Sequence, residues 1–301
     1  MPDKAPKRGR LGGLGKRLSL RPFLKIREWD SVKGIGYWAI RTYVSGNVGE
    51  KIKYWIPGEK PTASRRKIAA DIRKQDQNKK ACERTLARII NTNFTKGDVM
   101  VGLDYDDAHL KKVTGESGDA TIEKAENALR LCLRRVKRAA DKLGITVRMV
   151  GVTSDTDGET GDEVRVHHHL IVNREAARLF GEKWKCGGVN FESLKPQQDY
   201  TAVAHYMIAQ VRHVPDRKKY MTTRNLKKPE VRDRVAKSGA ELSVPRGCTL
   251  LHRSEYNVGM TQYIRYYIQR IRNEESGIRN EGGKACEELN SRSRLGIRDS
   301  N

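Results

Sequence analysis

The chain lacks any apolar run approaching the roughly 18 residues that cross a bilayer, so no membrane-spanning segment is expected. The Leu/Gly stretch behind its basic N-terminus is too short and too broken by charge to fit a secretion signal. Its five cysteines (Cys82, Cys132, Cys186, Cys248 and Cys286) are scattered, odd in number and without Cys-x-x-Cys spacing. That excludes a disulfide framework and a zinc ribbon, and it fits reduced thiols in a cytoplasm. No Gly-x-x-x-x-Gly-Lys-Ser/Thr stretch exists, so no ATPase or helicase motor is expected in this chain. No internal repeat is visible. Acidic residues are also scarce: 37 Asp and Glu stand against 60 Lys and Arg, a formal charge of +23 over 301 residues. A field of that sign attracts polyanions and makes association salt-dependent.

The most informative stretch present is Glu163-Val164-Arg165-Val166-His167-His168-His169-Leu170-Ile171-Val172-Asn173. Branched apolar residues with turn formers on either side predict a strand. Alternate strand residues share a face. His167 and His169 therefore point one way, close enough to hold one metal ion, and His168 points the other way. Residues 199–210 then predict a helix carrying Tyr206.

Around these, residues 1–35 are basic and broken by Gly and Pro, and predict a flexible arm. Residues 36–95 predict a mainly helical segment, clearest over 79–90. Strands are expected over 99–105, 145–153, 189–191 and 248–253. The strongest helix is expected over 121–143, with Ile122, Ala125, Leu129, Val136 and Ala140 on one stripe and Gly144 as its stop. A short helix is expected over 174–183. Residues 218–229 read as a basic loop or short strand, and 260–271 fit helix and strand equally. Residues 273–301 form a polar tail. The polar turn over 154–162 joins its flanking strands as a hairpin, and its acidic spacing fails the calcium-loop pattern. The pattern predicts an α+β fold: helices against a mixed or antiparallel sheet.

A phosphodiester resists attack because its charged oxygens repel nucleophiles, and a metal ion neutralises that charge. Two imidazoles are too few ligands. Gln210, four residues after Tyr206 and so on the same helix face, is the first choice for a third; Asp155 is its rival, and His213 a further candidate. An N/O donor set with open positions suits magnesium or manganese, although histidine also accepts zinc. Tyr206 is the expected nucleophile, and Tyr200 is the rival. His205 is expected to pack or to contact phosphate. Lys218, Lys219, Arg224, Lys227 and Lys228 are expected to contact DNA. No one of these features is specific alone; their combination, in this order and in a basic chain, carries the reading.

The histidine strand and tyrosine helix resemble those of the HUH endonucleases, specifically rolling-circle replication initiators of plasmids and phages. The His-hydrophobic-His motif of that family is similar to His167-His168-His169, with His168 at the middle position. Its tyrosine motif is similar to Ala204-His205-Tyr206-Met207-Ile208, and its first motif to Leu103-Asp104-Tyr105. The pairing of Tyr206 with Gln210 resembles that of single-tyrosine transposases of the family. The stretch Thr223-Arg224-Asn225-Leu226-Lys227-Lys228-Pro229 is similar to a basic stretch of plasmid and phage replication proteins.

The resemblance implies an endonuclease domain over 96–272. Its palm would be a central antiparallel sheet of about five strands flanked by helices, similar to an RNA-recognition fold. It implies metal-dependent nicking and joining of single-stranded or supercoiled origin DNA through a 5′-phosphotyrosine link, in a bacterial cytoplasm, with a host helicase and polymerase as partners. Alternatives are a relaxase or transposase of the same class, and a non-catalytic nucleic-acid-binding regulator.

Overall fold

The computed structural model describes residues 36–56, 71–114, 122–212, 218–237, 239–256 and 261–269. The basic arm over 1–35, the tail over 273–301 and His213 lie outside the described residues. The fold is α+β, with antiparallel five-stranded sheets and flanking helices.

The histidine strand is the middle of the first sheet. β3 (Val99–Asp104), β4 (Met149–Thr156), β5 (Glu163–Val172), β6 (Val189–Ser193) and β7 (Met221–Thr222) lie in the order β6-β3-β5-β4-β7. Each neighbouring pair is antiparallel. β5 is apolar at consecutive positions in its second half because both of its faces are covered. One face packs on α3 (Ile122–Lys142) and α4 (Arg174–Lys183), where Leu129, Cys132, Val136 and Phe180 meet Leu103, Leu170 and Val172. The buried stripe of α3 is the one its periodicity predicts. The other face packs on α1 (Asp71–Asn93) and α5 (Thr201–Ala209), where Leu86, Ile90, Met207 and Ile208 meet Val150, Val152 and Ile171. A short helix, α2 (Asp107–Thr114), follows β3 and was not anticipated.

The expectation of a mainly helical segment over 36–95 holds for α1, and over 37–56 it is corrected. β1 (Tyr37–Ser45) and β2 (Val48–Ile56) form a hairpin across Gly46 and Asn47. Gly46 has a φ of 60°, which a glycine adopts at little cost. A Cβ there would also collide with the Asn91 carbonyl of α1. The hairpin belongs to a second sheet, with β8 (Glu230–Ala236), β9 (Cys248–Tyr256) and β10 (Thr261–Ile268), in the order β8-β1-β2-β10-β9. The boundary at residue 95 therefore cuts through a sheet: the first described strands pair with the last. The segment over 260–271 resolves as strand, in β10.

Across one face of the second sheet runs the segment over 239–247. Leu242 packs there on Ile40, Ile264 and Tyr266, and Lys51 and Lys53 donate to the Ser243 and Ala240 carbonyls. The opposite face docks on α1 through a buried ion pair. Arg88 donates to both oxygens of Glu50, at 3.0 and 2.7 Å, and the Tyr263 hydroxyl donates to the same carboxylate at 3.1 Å. Breaking such a pair costs about 3–5 kcal/mol, because one charge is then left buried alone.

Candidate active site

Strand alternation sets the site. His169 faces the layer of α1 and α5, opposite Val152 and Gly102, and His167 lies one step along the same face, opposite Ser154 and Asp104. Their rings meet edge to face, with centroids 4.7 Å apart. Their Nε2 atoms are 3.0 Å from each other. Gln210 caps the C-terminal end of α5 and brings its Oε1 to 3.0 Å from His169 Nε2 and 3.4 Å from His167 Nε2. The end of α5 is pinned to β4, because the Thr156 hydroxyl donates to the Gln210 carbonyl at 2.9 Å.

Proton positions decide what these three atoms offer. His167 Nδ1 lies 2.8 Å from the Arg165 carbonyl, which can only accept, so Nδ1 carries the proton. In the neutral ring Nε2 then presents its lone pair. Burial lowers the pKa of His169 to about 4, with the neighbouring His167 acting in the same direction, so this ring is neutral at neutral pH. The Gln210 amide donates its Nε2 to the Tyr206 carbonyl at 3.4 Å and turns its oxygen inward. Three polar atoms thus converge, and a single N–H at His169 Nε2 can satisfy only part of the set. Donors bound about 2.1 Å from an octahedral ion sit about 3 Å from their neighbours, which is the spacing seen here. The donor set fits a divalent cation.

The rim agrees with that fit. Asp104 flanks His167 in register. Asp107 pairs with Arg165, while Asp155 and Glu163 pair with Arg212. In a chain of net charge +23, these are, among the described residues, four carboxylates against two arginines on the strands and element ends next to the site. Such a balance favours a cation over a bare anion.

Tyr206 stands over the site. Its ring centroid is 5.3 Å from that of His169, and the residue is 48% exposed. Among the described residues its hydroxyl has no hydrogen-bond partner. Tyr200, the rival, is buried in the core: its hydroxyl donates to the Lys195 carbonyl at 3.2 Å, and burial raises its pKa. Asp155 does not join the converging set. Its Oδ2 lies 3.1 Å from Arg212 Nε, and its buried Oδ1 has no hydrogen-bond partner among the described residues. Among the described residues no three His, Cys, Asp or Glu side chains gather as a metal site; the converging set is two histidines and an amide.

His205, expected to pack or to contact phosphate, is exposed, with its Nδ1 3.3 Å from Glu83 Oε2 on α1. The basic segment lies along β4 through β7, two strands from β5, or about 10 Å. It is held by paired hydrogen bonds between Asn93 and the Lys227 backbone, and by Asn225 donating to the Val147 carbonyl. That leaves Lys218, Arg224, Lys227 and Lys228 exposed and Lys219 half-buried.

Sequence reasoning missed the group behind the site. His168 is fully buried on the opposite face, 2.8 Å from the Tyr105 hydroxyl at Nε2 and 3.1 Å from the Thr153 hydroxyl at Nδ1. Burial lowers its pKa to about 3, with both flanking histidines adding to the effect. Its partners come from β4 and the end of β3, so only the sheet register reveals them. No family model, no curated protein and no solved structure matches the chain.

Proposed function

We propose that this protein nicks and joins single-stranded DNA through Tyr206, as a metal-dependent initiator of rolling-circle replication. The observation that supports the reading is the exposed hydroxyl of Tyr206, without a hydrogen-bond partner among the described residues, on a ring tilted against His169 beside the converging His167, His169 and Gln210 atoms. These three residues would hold magnesium or manganese. When bound, such an ion neutralises phosphate charge and stabilises a phenolate.

In the proposed step, Tyr206 Oη forms a bond to phosphorus and the bond from phosphorus to the 3′ oxygen breaks. The phenol proton passes to water, and the departing 3′ oxygen takes one from water. The products are a 5′-phosphotyrosine and a free 3′-hydroxyl. Ester energy is kept, so the reverse attack rejoins strands without ATP. The 3′-hydroxyl would prime a host polymerase behind a host helicase, and the exposed lysines and Arg224 would hold the strand's phosphates. The reading places the protein in a bacterial cytoplasm. Among the described residues, no helix is long and apolar enough to cross a membrane.

The test is a denaturing gel of protein with labelled single-stranded origin DNA and manganese. A detergent-resistant band is expected, and it should be absent after chelation and in Tyr206→Phe. An adduct that persists in Tyr206→Phe would move the nucleophile. Binding without any adduct would favour a non-catalytic regulator.

A further inference from the structure

Two neighbouring residues of the second sheet reach to two different helices. Glu50 on β2 and Arg265 on β10 are cross-strand partners. Glu50 takes Arg88 of α1. Arg265 turns to Asp199, the residue two before the first residue of α5, with Nε 2.8 Å from Oδ2. Its N–H is not aligned on that oxygen, so the contact is an ion pair, with both side chains largely sheltered. A bulge in the pairing of β10 with β9 falls between Arg265 and Tyr266; bulges commonly re-aim a side chain.

Asp199 uses its other oxygen to start the helix. Oδ1 accepts from the Thr201 backbone N–H at 2.8 Å, from the Thr201 hydroxyl at 2.5 Å and from Asn91 Nδ2 at 3.1 Å. Asn91 returns its own oxygen to the Tyr200 N–H at 2.9 Å. The first turn of α5 is thus fixed by one carboxylate that the second sheet also grips.

We infer that the second sheet positions the tyrosine helix, with Arg265 acting through Asp199 to set where α5 presents Tyr206 and Gln210. The inference rests on the nicking reading for its consequence in activity, and on geometry alone for its mechanics. A nine-residue helix is about 14 Å long. A tilt of about 5° at its first turn therefore moves the Gln210 end by about 1 Å. An error of that size near a reacting centre can cost roughly 100-fold in rate. Arg265 and Asp199 are positioning residues, since neither faces the histidines. Removing Arg265 leaves the sheet docked through Glu50 and Arg88, so its effect on α5 can be isolated.

The test uses the full chain as wild type, Arg265→Gln, Arg265→Lys and Asp199→Asn. Backbone amide exchange reports the mechanics. Amides over 204–210 should exchange roughly tenfold faster in Arg265→Gln and Asp199→Asn, while those of β5 and β10 keep wild-type rates. Arg265→Lys, which retains the charge, should recover most of the protection. The rate of adduct formation should fall in the same order with DNA affinity unchanged. Unchanged exchange over 204–210, or equal acceleration in β5 and β10, overturns the inference. If wild type forms no adduct at all, the nicking reading fails, and the exchange result still decides the positioning claim.

Discussion

The two faces of β5 treat three consecutive histidines in opposite ways. His168 is sealed into the layer under α3 and α4, and each of its ring nitrogens meets a hydroxyl. His167 and His169, one residue to either side, turn to the layer under α5 and aim Nε2 atoms at each other and at Gln210. The chemistry of the side chain is the same in all three. What differs is whether the partners consume the lone pairs. On the inner face Thr153 of the neighbouring strand and Tyr105 beyond Leu103 complete a closed polar knot around the ring. On the outer face the neighbours are Asp104, Gly102, Ser154 and Val152, which leave the imidazole nitrogens to converge. A histidine is thereby made structural or chemical by a strand period of two.

The sharpest way to break this comparison is to delete the outer pair. The double variant His167→Ala/His169→Ala should lose manganese binding, measured by calorimetry, by more than the roughly 10–100-fold typical of losing an outer hydrogen-bond partner of a metal ligand. Adduct formation should vanish with it while the fold persists. Retained affinity would mean that the cation sits elsewhere.

The inner face should answer in stability instead. His168→Leu takes the partner from the buried Thr153 hydroxyl and leaves the Tyr105 hydroxyl only its 3.3 Å bond to the Ala125 carbonyl, so urea unfolding should show a loss of about 1–3 kcal/mol. Manganese affinity should move little. If His168→Leu instead abolished metal binding and left stability intact, the two faces would not be separable.

A smaller effect tests the periphery. Lys228→Gln should leave the chemical step unchanged and reduce the slope of log affinity against log salt by about 0.7, the value for one phosphate contact on a single strand. An unchanged slope would remove Lys228 from the DNA path.

Much of the site was legible in the sequence because it is local. Alternation placed His167 and His169 together, and helical spacing placed Tyr206 and Gln210 on one face. Periodicity also gave the buried stripe of α3. The rest is non-local. β1 pairs with β8 from the far end of the chain, with Val44 opposite Glu230. No window of sequence holds both. β1 and β2 carry apolar residues on both faces because one face is covered by the 239–247 segment and the other docks on α1, so clean alternation is missing. Their aromatic and branched content, and the Gly46-Asn47 turn, were the available signals. The sequence ranks Tyr206 above Tyr200, but the burial of Tyr200 was not legible in it, because that depends on how α1 packs on α5.

The most direct measurement is the identity of the residue that carries DNA. Protein reacted with single-stranded origin DNA and manganese should be digested with protease and nuclease, and the peptide bearing residual nucleotide sequenced by mass spectrometry. The account predicts a phosphoester on Tyr206. A nucleotide found on Tyr200 or any other residue, or a reacted protein with no covalent nucleotide, would contradict it.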